Sequence, residues 1–137
     1  MNWLVKEEPT HYSFDALVED KTTTWSGVRN ALAQKHLRGM SRGDRVFYYH
    51  TGNEKAIVGT ASVASAPTPD PADATGKNYS VSIAAGARLP RPVTLAEIKA
   101  DPFFADFLLV RMARLSVVPV TDAQWARIEK MAQRPGP

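Results

Sequence analysis

The sequence predicts an α+β fold, a small mixed β-barrel flanked by short helices, and three observations carry that prediction. Short β-prone runs alternate with short helical patterns, hairpin-type turns join several of the runs, and no glycine-rich phosphate loop of the dinucleotide or Walker kind is present. Together they favour a barrel over a doubly wound sheet. A length of 137 residues suits one domain, residues 1–137, and a chain of this size buries about 68% of its unfolded-state surface.

The elements follow in order. Asn2 to Lys6 makes a first short strand. Ser13 then heads a helix whose apolar residues Phe14, Leu17 and Val18 fall at i, i+3 and i+4. After a loop carrying Trp25, a second helix is expected from about Val28 to Met40, ended by Gly43-Asp44. Arg45 to His50 reads as a strand with Val46, Tyr48 and His50 on one side and Phe47 and Tyr49 on the other. Thr51 to Glu54 signals a hairpin, and Lys55 to Ala66 is the returning strand, with Gly59 as a candidate bulge.

Pro67 to Asn78 is rich in Pro, Asp, Ala and Gly and marks a long surface loop. Tyr79 to Leu89 is a strand stopped by Pro90-Arg91-Pro92. Thr94 with Glu97 and Thr121 with Gln124 each match a capping box, so a short helix is expected after each. Between them, Leu109 to Val120 reads as a last strand region interrupted by Pro119, with Arg111 and Arg114 on opposite faces. The tail Arg134-Pro135-Gly136-Pro137 is expected to fray.

Composition narrows the chemistry. Zero cysteines exclude disulfides, thiolate metal sites and a cysteine nucleophile. His11, His36 and His50 lack metal-ligand spacing, so neither a metal nor another cofactor is expected. No G-x-S-x-G signature supports nucleophilic hydrolysis. No stretch approaches the roughly 20 apolar residues of a membrane span, and no secretory leader opens the chain, so the expectation is a soluble cytoplasmic protein with no membrane partner. A net charge of +3 is too small to imply nucleic acid by itself. Its distribution is more telling, because Lys35, Arg38, Arg42 and Arg45 gather just after Trp25. Lys35 and Arg38 share a helix face, which is either an ordinary solvated face or a phosphate track.

The segment Trp25-Ser26-Gly27-Val28-Arg29-Asn30 sets a large aromatic, a hydroxyl, a hinge glycine, a guanidinium and a carboxamide within six residues. An aromatic face can stack a planar ring while polar groups read its edge, and those are the two contacts that hold an unstacked nucleobase. The competing reading is that Trp25 fills the core and Ser26 caps a helix beginning near Val28.

Set beside this segment, the opening Met1-Asn2-Trp3-Leu4-Val5-Lys6-Glu7-Glu8-Pro9, Tyr12-Ser13, Gly43-Asp44, Phe47-Tyr48-Tyr49-His50, Ile57-Val58-Gly59, Pro69-Asp70-Pro71 and Leu109 to Val117 resemble the EVE domain over nearly the whole chain, in the expected order. Two small departures are Thr51 and Ala113, where many members carry Ser. They touch a hydrogen bond and leave the pocket shape intact. The resemblance implies a PUA-like fold and a noncatalytic monomer that reads a modified base in DNA or RNA, extruded into an aromatic and polar pocket.

On that reading Trp25 is the stacking platform, while Ser26, the Val28 backbone and Asn30 read the base edge. Tyr48 and His50 form the pocket floor, and Asp70 is the carboxylate nearest to His50 by family topology. Arg29, Lys35, Arg38 and Arg111 meet phosphates or an acidic base substituent, and Lys6 and Ser116 stand at the polar rim. Two rivals remain open. One is a PUA-like ribonuclease or RNA-processing enzyme using Lys6, Tyr48, His50 and Arg111 as acid, base and phosphate-stabilising groups. The other is a small-ligand or protein-interaction module.

Overall fold

In the computed structural model, which describes residues 1–134, seven strands form one curved sheet edged by short helices. The chain runs β1 (Asn2–Glu7), α1 (Phe14–Asp20), β2 (Thr22–Trp25), α2 (Ala31–Arg38), β3 (Arg45–His50), β4 (Ala56–Val63), β5 (Thr68–Pro69) and β6 (Tyr79–Thr94). It continues through α3 (Leu95–Ala100), a 3₁₀ turn (Pro102–Phe104), α4 (Leu108–Arg111), β7 (Val117–Val120) and α5 (Asp122–Gln133). Pro135, Gly136 and Pro137 of the expected fraying tail lie outside the described residues.

The strand order is β2-β6-β4-β3-β1-β7, with β5 paired to β6. β1 lies parallel to β3 and antiparallel to β7, so the first strand of the chain is central in the sheet. β2 and β7 are the two ends of this path and do not pair with each other, which leaves the barrel open along one seam. α2 packs against both β6 and β7 and bridges part of that gap. On β3 the expected alternation holds: Phe47 stacks on Trp125 of α5 with ring centroids 3.6 Å apart, while Tyr48 meets Phe14 and Trp25 on the other face.

Helix starts match their chemistry. Ser13 caps α1 by accepting from the Ala16 N–H, and the two threonine capping boxes open α3 and α5 as their spacing predicts. Gly59 sits at an irregularity of the β4 ladder, where a side-chain carbon would collide with the Phe14 ring. The close approach of α1 to the sheet therefore needs a glycine there.

Four expectations are corrected. Trp25 ends a strand instead of lying in a loop, because Thr22-Thr23-Thr24-Trp25 is β-prone and pairs with β6. The second helix begins at Ala31, since Asn30 caps it and Val28 and Arg29 stay outside it. β6 runs through Pro90 and Pro92, because the β4 ladder skips from Arg88 to Val93 and asks no N–H of either proline. Leu109 to Arg111 is helical, closed by the Arg111 N–H to Phe107 carbonyl and Met112 N–H to Leu108 carbonyl bonds, so only Val117 onward is strand. A short apolar run cannot be assigned by periodicity alone.

Candidate functional site

The seam holds a cleft of about 390 Å³. One wall is the end of β2 and the chain after it, Thr23 to Arg29. The other is Lys6 and Glu7 of β1 with Ser116 just before β7, and His11 and Tyr12 close the side. The open edge of the barrel and the cleft are thus the same feature.

The wall at Trp25 is fixed from behind. Trp25 is only 7% exposed and stands edge-on to Tyr48, with centroids 5.7 Å apart and planes at 85°. The rival reading of this residue is thus right in part: Trp25 is a core side chain whose remaining surface borders the cleft. Gly27 takes φ +74, a left-handed conformation that favours glycine. Its N–H donates to Asp70 Oδ2 at 2.9 Å, and the Ala72 N–H donates to Asp70 Oδ1 at 2.9 Å. Asp70 is buried, so the long loop reaches in and holds the turn from below. Gln34, also buried, donates from Nε2 to the Val28 carbonyl at 2.7 Å and to the Tyr79 carbonyl at 3.1 Å, and its Oε1 accepts from the Tyr79 N–H at 2.9 Å. It ties α2, the cleft wall and β6 together.

The cleft's own polar groups are less committed. The side chains of Thr24, Ser26, Arg29 and Ser116 make no hydrogen bond to another described residue, although all four line the cleft. Lys6 Nζ donates to the Ala113 carbonyl at 2.9 Å, and burial holds its ammonium below the usual lysine value. Glu7 Oε1 accepts from the Glu8 N–H and lies 3.1 Å from His11 Nδ1. The Tyr12 hydroxyl donates to Asp20 at 2.8 Å; burial first, then that carboxylate, pushes it above the ordinary tyrosine value and keeps it protonated.

Of the expected site residues, Trp25, Ser26, Val28, Arg29, Lys6 and Ser116 line the cleft. The others fall elsewhere. Tyr48 is fully buried and donates its hydroxyl to the Tyr12 carbonyl at 2.7 Å, so it supports the cleft from behind. His50 accepts at Nε2 from the Phe14 N–H at 3.0 Å, and its Nδ1 lies 2.7 Å from Glu54. The accepting nitrogen cannot carry a proton, so Nδ1 does and donates to Glu54. The expected partner of this histidine, Asp70, instead serves Gly27. Asn30 uses its side-chain oxygen on the Ala33 N–H at 3.0 Å as the cap of α2. Arg111 is exposed on α4, 3.8 Å from Asp106. Lys35 and Arg38 are exposed on α2, with Arg38 over the Tyr79 ring, and neither lines the cleft.

Sequence reasoning missed Glu7, His11, Tyr12, Thr23 and Thr24 as cleft residues, and Gln34 as a buried brace. The threonine run before Trp25 could have flagged the wall as a strand. Nothing local marks Gln34, whose role depends on Tyr79 meeting it in space. Among the described residues no three His, Asp or Glu side chains gather as metal ligands, and no helix is long and apolar enough to cross a membrane.

A curved sheet open along one seam and edged by short helices makes the chain an α+β domain. The EVE domain family model matches residues 1–131, and the chain belongs to that family. A Rhodopseudomonas palustris protein known from a solution structure is 47% identical and superposes with a TM-score of 0.91 over 96% of this chain and 92% of that one. An Agrobacterium tumefaciens crystal structure is 33% identical, with a TM-score of 0.91 over 99% of this chain and 95% of its own. Human thymocyte nuclear protein 1, solved in complex with 5-methylcytosine-containing DNA, shares the fold at 24% identity, with a TM-score of 0.89 over 98% of this chain and 99% of that one. Chicken thymocyte nuclear protein 1 is 35% identical over 81 residues, which is half of this chain and 34% of that protein. The aligned stretch therefore spans about a third of that relative's length.

Proposed function

We propose that this protein binds nucleic acid and takes a modified base, extruded from its stack, into the seam cleft without cleaving the strand. The observation that carries the reading is a fixed wall beside unengaged polar side chains: Tyr48 backs Trp25, Asp70 and Gln34 hold the Gly27 and Val28 backbone next to it, and Ser26, Thr24, Arg29 and Ser116 remain free to meet a ligand edge. Trp25, 7% exposed, offers a ring edge and not an open face, so its contact with a base is worth less than the about 1 to 3 kcal/mol of a full stack, and discrimination falls to the polar groups. A related fold bound to 5-methylcytosine DNA makes a methylated cytosine the first ligand to try. In this reading Lys6 and Arg29 meet phosphate or an acidic substituent at the rim.

The nuclease alternative loses its proposed constellation. Of Lys6, Tyr48, His50 and Arg111, only Lys6 lines the cleft; Tyr48 and His50 are spent on internal hydrogen bonds and Arg111 faces solvent on α4. The test is a titration with paired oligonucleotides that differ in one cytosine methyl group, in single-stranded and duplex form, with strand integrity followed in the same samples. A preference for one modified member with the strand intact supports the reading. Equal affinity across a panel of base modifications, or turnover of the strand, overturns it.

A further inference from the structure

Lys6 belongs to two clefts. Beyond its edge of the seam lies a second, smaller cleft of about 220 Å³, bordered by Lys6, Lys55 and Lys99 over an apolar floor of Tyr49, Leu95 and Leu109. The three lysines come from three separate segments: β1, the turn between β3 and β4, and α3. Lys55 holds a left-handed φ of +46, and its carbonyl accepts the Leu95 N–H at 2.8 Å, which pins this turn to the start of α3. Lys6 Nζ stands 5.7 Å from the Tyr49 ring centroid, so its stem crosses from one cleft to the other.

No carboxylate borders this second cleft, and among the described residues none of its three lysines forms an ion pair. The acids adjacent in sequence are engaged elsewhere, Glu7 with the Glu8 N–H and His11 and Glu54 with His50 at 2.7 Å, while Glu8 lies against Thr51 and Gly52 of the lining and accepts from the Thr51 hydroxyl at 3.3 Å. The contrast with other cations is direct, since Arg45, Arg88, Arg91 and Arg127 each have a carboxylate partner. Three unpaired ammonium groups around one depression repel one another, and an anion relieves that repulsion.

We propose that the Lys6, Lys55 and Lys99 cleft is a phosphate subsite for the strand whose base enters the seam cleft, with Lys6 as the joint between them. This rests on the nucleic-acid reading above and adds the path of the backbone. It moves the phosphate track from the α2 face of Lys35 and Arg38, which lines neither of these two clefts, to the opposite side of the cleft wall formed by β1. A sugar-phosphate chain fits because the lysines provide charge without a planar fork, and the apolar floor accepts a sugar face.

The experiment compares wild type, Lys55→Gln/Lys99→Gln and Lys35→Gln/Arg38→Gln with modified and unmodified single-stranded oligonucleotides across a salt series. All four positions are exposed, so melting temperatures should coincide and report any misfolding. If two phosphate contacts are lost, the Lys55/Lys99 variant should show a slope of log K against log salt shallower by about 1.4, at about 0.7 per contact. Its preference for the modified strand should persist, and the α2 variant should keep the wild-type slope. An unchanged slope in the Lys55/Lys99 variant, or a loss confined to the α2 variant, overturns the proposal. A wild type without base preference whose slope still falls on Lys55/Lys99 replacement would sink the base-reading function and leave the phosphate subsite standing.

Discussion

The wall from Trp25 to Arg29 and the corner around His50 contain the same kinds of group, an aromatic ring, a polar side chain and a nearby carboxylate, yet one is open and the other closed. At the corner both ring nitrogens of His50 are engaged, one by the Phe14 N–H and one by Glu54, and Tyr48 has given its hydroxyl to Tyr12. At the wall the carboxylate of Asp70 and the amide of Gln34 hold backbone, and the side chains of Ser26 and Arg29 face the cleft without partners. Polar groups satisfied by the protein stabilise the fold; polar groups left at a cleft are available to a ligand.

Variants can break or sharpen this contrast. The largest effect is expected from Trp25→Ala, which opens the core beneath the wall and should cost about 3 to 5 kcal/mol of stability, as buried Trp to Ala changes do. Chemical denaturation reads that loss, and binding measured per folded molecule should fall as well. A variant that keeps full stability would mean that Trp25 is not a core residue.

His50→Ala should follow, because it leaves the buried Phe14 N–H without an acceptor, a loss of about 1 to 3 kcal/mol. Affinity per folded molecule should stay at the wild-type value. A selective loss of base preference in a stable His50 variant would return this histidine to the site.

Asp70→Asn keeps the size of the side chain but replaces one accepting oxygen with an NH2 group, so either the Gly27 or the Ala72 N–H loses its acceptor, with about 1 to 3 kcal/mol of stability at stake. As a positioning residue it should also blunt the preference for a modified base. Ser26→Ala is its counterpart on the cleft side: stability should hold within about 0.5 kcal/mol, as for other exposed positions, while discrimination between paired oligonucleotides narrows. Equal losses of base preference and stability in both variants would erase the distinction between brace and contact.

The smallest effect lies outside both regions. Arg91 reaches Glu97 with two nitrogens at 2.8 and 2.7 Å, and this pairing foremost draws the Glu97 carboxyl down to about 2. A folded-state value below the unfolded one means the stabilisation is present above about pH 4.5 and is lost as pH falls toward 2. Arg91→Gln should therefore lower the melting temperature at neutral pH and converge with wild type in acid. For a pair with this much solvent access the difference is about 1 kcal/mol at most.

Much of the fold could be read locally. The capping residues Ser13, Thr94 and Thr121 mark helix starts by chemistry that depends on only three following residues, and the structure places helices there. The errors share a physical cause, since β6 continues through its prolines only because β4 skips that stretch, and the segment at Leu109 is helical although its apolar pattern fits a strand equally well. In the site, the residues of the Trp25 segment were visible as a cluster of types. What could not be read was which polar groups distant segments would consume: His50 by Phe14 and Asp70 by Gly27. Such pairings join segments distant in sequence, or compete with a ligand for the same atom.

The central position of β1 bears on biosynthesis. Asn2 pairs with Arg45 on one side and with Val120 on the other, so β1 leaves the ribosome well before β7, which covers its second edge. Pairings that distant slow folding, because the chain between them must be ordered before the contact stabilises anything. Until Val117 to Val120 emerge, the nascent chain carries an apolar strand with one bare edge, the kind of surface that chaperones shield and that aggregates when left open. A stop codon before β7 would thus do more than shorten the protein: it would remove one border of the seam and release a chain with a sticky, unfinished sheet.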